Sequence, residues 1–127
     1  MKTTFTTTIA ALCLAAGAAF AADPVEGMWR SQPGETGSTI DVRIAQCGSK
    51  LCGTIARLNG AGDPSVVGRR IIWDMQPDGQ GGYRNGKIWA PDQDKTYNSK
   101  MTLNGNMLKV EGCIAVFCRG QTWARLN

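Results

Sequence analysis

Gly112-Cys113-Ile114-Ala115-Val116-Phe117-Cys118-Arg119-Gly120-Gln121-Thr122-Trp123-Ala124-Arg125 lies at the C-terminal end of the chain and decides how the rest is read. It supplies a cysteine pair, a closing β-strand and an arginine placed to cap a core. Its counterpart lies near the other end, at Gly27-Met28-Trp29. If the two segments meet, the sheet between them closes on itself.

Between those ends the chain is cut into short pieces by glycine, proline and Asn-Gly elements, and no long window keeps a helical period. Thr39 to Gln46 alternates, with Ile40, Val42 and Ile44 on one face and Asp41, Arg43 and Ala45 on the other, as a half-buried strand does. Gly48-Ser49-Lys50-Leu51 suits a tight turn. With Ser49-Lys50 as its loop residues, Cys47 opposes Cys52, which is within disulfide reach. Arg69 to Met75 and Tyr83 to Ala90 are further strands, separated by Pro77-Asp78-Gly79-Gln80-Gly81-Gly82. Lys95 to Leu103 alternates with Tyr97, Met101 and Leu103 on one face. Asn104-Gly105 then signals a hairpin, answered by Leu108 and Val110. About eight strands with short connections predict an all-β protein, a small up-and-down antiparallel barrel whose closure removes exposed edges. A two-sheet sandwich is the rival architecture.

The first residues read as a signal peptide spanning 1–21. Lys2 is followed by an apolar run from Ile9 to Phe20, and Ala19-Phe20-Ala21 fits the small-x-small cleavage rule. The apolar run is shorter than the roughly 18 residues a membrane helix needs. Export to the periplasm or beyond follows, with residues 22–127 as one mature domain. Without Lys2 the net charge falls to +3, and no basic run stands out, so nucleic acid is not an expected partner. The mature part holds no long apolar stretch, so no membrane span is expected there.

The chain contains no histidine. That excludes a Ser-His-Asp triad, a Cys-His pair and a histidine-ligated metal. No cofactor and no metal site are expected. Asp63, Asp74, Lys87, Asp92, Asp94 and Lys95 could supply carboxylate and lysine chemistry, but no spacing among them singles out a catalytic pair.

Cys47, Cys52, Cys113 and Cys118 form two pairs of equal spacing in the mature chain. In an exported protein an even count points to disulfides, and the four-residue gap does not suit a thioredoxin-type redox motif. Four cysteines allow three connectivities. Cys47–Cys52 with Cys113–Cys118 is preferred, because each pair flanks a turn, although Ala115-Val116 are poor turn residues. A four-cysteine zinc site is the competing reading.

Gly27-Met28-Trp29 and Trp123-Ala124-Arg125 resemble the two ends of a lipocalin-type (calycin) barrel. Along the mature chain, Leu51-Cys52-Gly53, Gly86-Lys87-Ile88 with Pro91, Lys95-Thr96-Tyr97, Gly112-Cys113 and Cys118-Arg119 resemble the exported bacterial family catalogued as domain of unknown function 2147. The resemblance implies a lipocalin-like barrel and export, and no established activity. It also implies that Arg125 stacks on Trp29 and seals one end, a cation–π contact of ~1–2 kcal/mol when partly desolvated.

The leading reading of function is a carrier, an interaction module is the alternative, and an enzyme using the carboxylates and lysines above is a third. A non-enzymatic carrier would hold a small apolar or amphipathic ligand, lined by Trp73, Tyr83, Trp89, Tyr97 and Met101, in a cavity of a few hundred Å³. A filled interior counts against it. An interaction or inhibitor module would instead act through loops such as 59–68 and 77–82.

Overall fold

The computed structural model describes residues 22–127; the expected signal peptide and its cleavage site after Ala21 lie outside them. Eight strands follow in order: β1 Gly27–Arg30, β2 Thr39–Cys47, β3 Lys50–Asn59, β4 Arg70–Pro77, β5 Gly82–Ala90, β6 Lys95–Asn104, β7 Met107–Ile114 and β8 Phe117–Arg125. One 3₁₀ turn, Pro64–Val66, interrupts the β3–β4 connection. Each strand pairs antiparallel with the next, and β8 returns to β1, so the expected eight-stranded up-and-down barrel is the fold.

Alternation along the strands fills the interior. Val42 and Ile44 on β2, Ile72 and Met75 on β4, Leu108 and Val110 on β7, and Trp123 on β8 are all buried with Trp29. Two glycines are fixed by this packing. A Cβ on Gly86 would lie 2.4 Å from the Met75 sulfur, and one on Gly53 would lie 2.9 Å from Val42. Asp74 and Asn85, on adjacent strands beside Met75 and Gly86, take positive φ values of 58° and 60°. Such conformations suit Asp and Asn better than other non-glycine residues.

The β2–β3 turn differs from the expected register. Cys47 pairs with Lys50, Gln46 with Leu51 and Ala45 with Cys52, so the loop residues are Gly48-Ser49 and not Ser49-Lys50. Gly48 has φ 64°, and a two-residue hairpin with positive φ only at its first loop position wants glycine there. The turn therefore forms around Gly48. The two cysteines become diagonal neighbours instead of opposed ones, with Cα atoms 5.8 Å apart, and they are bonded. Cys113 and Cys118 are directly opposed, 4.1 Å apart at Cα, and also bonded. Ala115 opens their turn in the left-handed region, with φ 52°.

Asp41 keeps the outer face that alternation gives it, opposite Arg30 and away from the buried Trp29–Val42 pair, beside a β3 bulge that pairs Arg57 with Asp41 and Ile55 with Val42. The carboxylate is buried. Arg30 holds it through both oxygens, at 2.9 and 3.2 Å, and the Asn59 amide donates at 2.9 Å.

Closure is narrower than the sequence suggests. Among the described residues, Trp29↔Arg125 and Arg30↔Ala124 pair β1 with β8, and Leu126 N donates to Met28 O at 2.8 Å just past them toward the closing end. In the opposite direction the Gln32 side chain accepts from Thr122 N at 3.1 Å, and among the described residues Phe117 to Gln121 have no strand partner on the β1 side.

Candidate functional site

The strand order gives the barrel two unlike ends. Residues 22–26, the end of β8 and the turns at 48–49, 78–81 and 105–106 gather at one. The connections 31–38, 60–69, 91–94 and 115–116 gather at the other, which we call the mouth.

At the first end, Trp29 is buried and its indole N–H donates to Val25 O at 2.8 Å. The Arg125 guanidinium carbon lies 4.3 Å from the centre of that ring, and its nitrogens donate to Pro24 O at 2.6 Å and Glu26 O at 3.3 Å. Beside them Tyr83 donates to Asp23. Burial pushes the Tyr83 hydroxyl well above its usual range, and the Asp23 carboxylate adds to the effect.

The mouth carries a second indole–guanidinium pair, which the sequence did not announce. Arg69 lies 3.6 Å from the centre of the Trp89 ring. The Trp89 N–H donates to Asp94 at 2.9 Å. Arg69 is exposed, and among the described residues its guanidinium makes no hydrogen bond or salt bridge. Tyr97 donates to Gln93 on the same rim. Asp63 caps the 3₁₀ turn by accepting from Ser65 N at 2.9 Å, and that bond holds its carboxyl below the ordinary range.

The expected ligand-lining residues are not gathered around a cavity. Tyr83, Trp89 and Met101 are 3%, 6% and 2% exposed and form part of the core, while Trp73 and Tyr97 pack against it from the side. An open groove of about 780 Å³ lies on the outer wall where β5 bulges from β6, bordered by Arg84, Asn85, Asn98 and Lys100, with Tyr83 and Met101 at its floor. A second hollow, of about 110 Å³, lies near Asp23, Tyr83 and Leu103. Trp73, Trp89 and Tyr97 border neither. The candidate catalytic residues are also dispersed. Asp94 serves Trp89, Asp63 serves the 3₁₀ turn, and Lys87 donates to Asn98. Among the described residues no three acidic or cysteine side chains converge as a metal site would require.

The most anomalous surface is the β7–β8 hairpin. Ile114, Val116 and Phe117 are 66%, 85% and 80% exposed. Ile114 and Phe117 oppose each other, on the face whose lower residues, Val110 and Trp123, enter the core. The hairpin therefore runs past the rim and carries its inward face into solvent. The Cys113–Cys118 bond clamps it from the outer face. The cysteine pair was legible in the sequence; the overhang was not, because it depends on where the neighbouring strands stop.

A family model described as "Uncharacterized protein conserved in bacteria (DUF2147)" matches residues 27–125. Among solved structures, the chain is similar to protein HP1028 from the human pathogen Helicobacter pylori, described as belonging to the lipocalin family. The TM-score is 0.66 at 18% identity, over 80% of this chain and 82% of that one. At that identity the likeness concerns the fold, which is a lipocalin-like barrel. No curated protein matches the sequence.

Proposed function

The chain belongs to the conserved bacterial family DUF2147, and within that family we propose that it is an exported, non-enzymatic interaction module that engages a protein partner through its mouth. One observation carries this reading: three large apolar side chains stand in water on a covalently clamped hairpin, while Tyr83 and Trp89, suited to lining a ligand site, are spent on the core. Burying a side chain of the Val, Ile or Phe type is worth about 1.5–3 kcal/mol. A folded protein that leaves three together on one rigid element forgoes that gain, and contiguous apolar patches of this kind mark interaction sites. The clamp lowers the ordering cost of docking. Two disulfides suit an oxidising compartment, and among the described residues no helix is long and apolar enough to cross a membrane.

Photo-crosslinking in the native host tests this. A crosslinker at Val116 should yield a protein adduct. One at Lys109, on the outer wall, should not. The adduct should weaken when Phe117 is replaced by Ser. Equal labelling from both positions, or none from Val116, would rule the reading out.

The carrier reading keeps one observation in its favour, the exposed Arg69 lying across Trp89 at the mouth. Displacing that guanidinium would expose an apolar indole on the rim. Native mass spectrometry of protein purified from its host would support a carrier by showing a retained apolar molecule, lost on Trp89→Ala.

A further inference from the structure

We propose that the free edge of β8 takes an extended segment of a partner protein as an added β-strand, and that this segment carries an acidic residue two positions from an apolar one. The inference deepens the docking reading above and rests on it.

The edge follows from the narrow closure. Arg125 N donates across to Asn106 O on the β7 side, whereas Leu126 N donates to Met28 O and Thr122 N to Gln32 on the β1 side. Alternation then turns the N–H and C=O of Cys118 and Gly120 to the β1 side, where β1 has already ended at Arg30. Both residues are exposed. An uncovered strand edge is a template for pairing with another chain. Here it adjoins an apolar tip, the combination used in strand addition: backbone bonds give affinity and alternate side chains give specificity.

Charge selects the occupant. Arg119 stands between the two edge-facing residues, exposed, on the same face as Phe117, and among the described residues it has no hydrogen-bonded or ionic partner. A second copy of this chain fits poorly. A two-fold pairing that uses both free positions sets Cys118 against Gly120 of the other copy, and so sets Arg119 against its own equivalent. Like charges directly opposed are destabilising. A lipid surface fits poorly too, because unpaired backbone groups beside the tip would be costly to carry into hydrocarbon. A strand with a carboxylate opposite Arg119 and an apolar side chain opposite Phe117 satisfies both positions. Since these two residues lie two apart on one face, the matching residues in the partner also lie two apart.

The test uses the oxidised protein, expressed as the full chain and purified from its host, with a random library of short linear peptides as the probe. Selected peptides should share an acidic and an apolar residue at that spacing. On binding, amide exchange at Gly120 should slow roughly tenfold or more. Methylating alternate backbone nitrogens of a selected peptide should abolish binding. Repeating the selection on Arg119→Glu protein should return basic residues in place of acidic ones. Strand addition is overturned by an unpatterned selection, by peptides indifferent to methylation, or by protection elsewhere. It is equally overturned if Gly120 is protected by self-association, or only by phosphatidylglycerol-rich vesicles. If crosslinking from Val116 persists while the edge takes no peptide, only strand addition falls; if both fail, the docking reading falls as well.

Discussion

The same pair of side chains appears at both ends of the barrel and does different work at each. At the closing end, Arg125 stacks on Trp29 and also donates to two backbone carbonyls from the segment before β1. At the mouth, Arg69 stacks on Trp89 at shorter range, yet among the described residues it makes no hydrogen bond. Stacking alone is a modest, exposed contact. Stacking combined with carbonyl capture ties three separate pieces of chain together: the N-terminal segment, β1 and the end of β8. The closing end is thus a clasp, and the mouth is a cover.

The sharpest way to break this comparison is to remove the indole that the clasp holds. Trp29 is fully buried and its ring N–H is satisfied by Val25 O. Trp29→Ala should cost about 3–5 kcal/mol, from lost burial and the cavity left behind. Urea denaturation followed by circular dichroism would show it as a large fall in midpoint. A loss under about 1 kcal/mol would mean that closure does not depend on this ring.

The arginines come next and test the comparison directly. Arg125→Ala removes a partly desolvated stack of about 1–2 kcal/mol. It also removes hydrogen bonds to Pro24 and Glu26 worth about 0.5–1.5 kcal/mol each. Arg69→Ala removes an exposed stack alone, about 0.5–1 kcal/mol. The Arg125 variant should therefore melt well below the Arg69 variant. Equal melting temperatures would erase the distinction between clasp and cover.

The clasp was legible in the sequence because its parts sit at the chain ends and carry their own signals, Gly27-Met28-Trp29 and Arg125 in a terminal strand. Strand alternation and the Asn104-Gly105 turn were legible for the same reason, since each is encoded within a few residues. The mouth was not. Arg69 and Trp89 are twenty positions apart, and they meet only because the 60–69 connection folds over the end of β5. Asp41 stands on the outer face that its alternation gives, but its burial there was hidden, because Arg30 and Asn59 reach it from the neighbouring strands. The overhanging hairpin was hidden likewise. The turn at Ala115-Val116 was expected, but how far Ile114, Val116 and Phe117 stand into solvent depends on where β1 and β6 stop.

Asp41 gives a smaller, pH-dependent test at the mouth side of β1. The Arg30 hydrogen bond holds its carboxyl below the usual range, with help from Asn59 and Arg57, while burial opposes the shift. A group whose folded pKa is depressed stabilises the fold above its unfolded value, near 3.9, and loses that contribution as pH falls through the folded value. Wild type should therefore exceed Asp41→Asn in stability near neutral pH, and the gap should narrow on acidification below about pH 4. Paired urea titrations at two pH values would check it. A gap that stays constant would show that the Asp41 carboxyl has the same pKa folded and unfolded.

The smallest expected effect on stability falls on the most conspicuous residues. Val116 and Phe117 touch little, so Val116→Ser with Phe117→Ser should change folding stability by no more than about 0.5 kcal/mol. That near-silence is informative because core residues of the same type behave otherwise. Replacing buried Val42 or Ile44, on β2, should cost several times as much. If the tip is an unpaired remnant of strand packing, the double variant should be silent in every assay. If it is the docking element, stability and binding come apart: the melting curve stays in place while crosslinking from the mouth is lost. A variant that instead unfolds the barrel would mean that the hairpin's apolar face packs against the rim in solution, and the contrast between a clasped end and an available mouth would have to be abandoned.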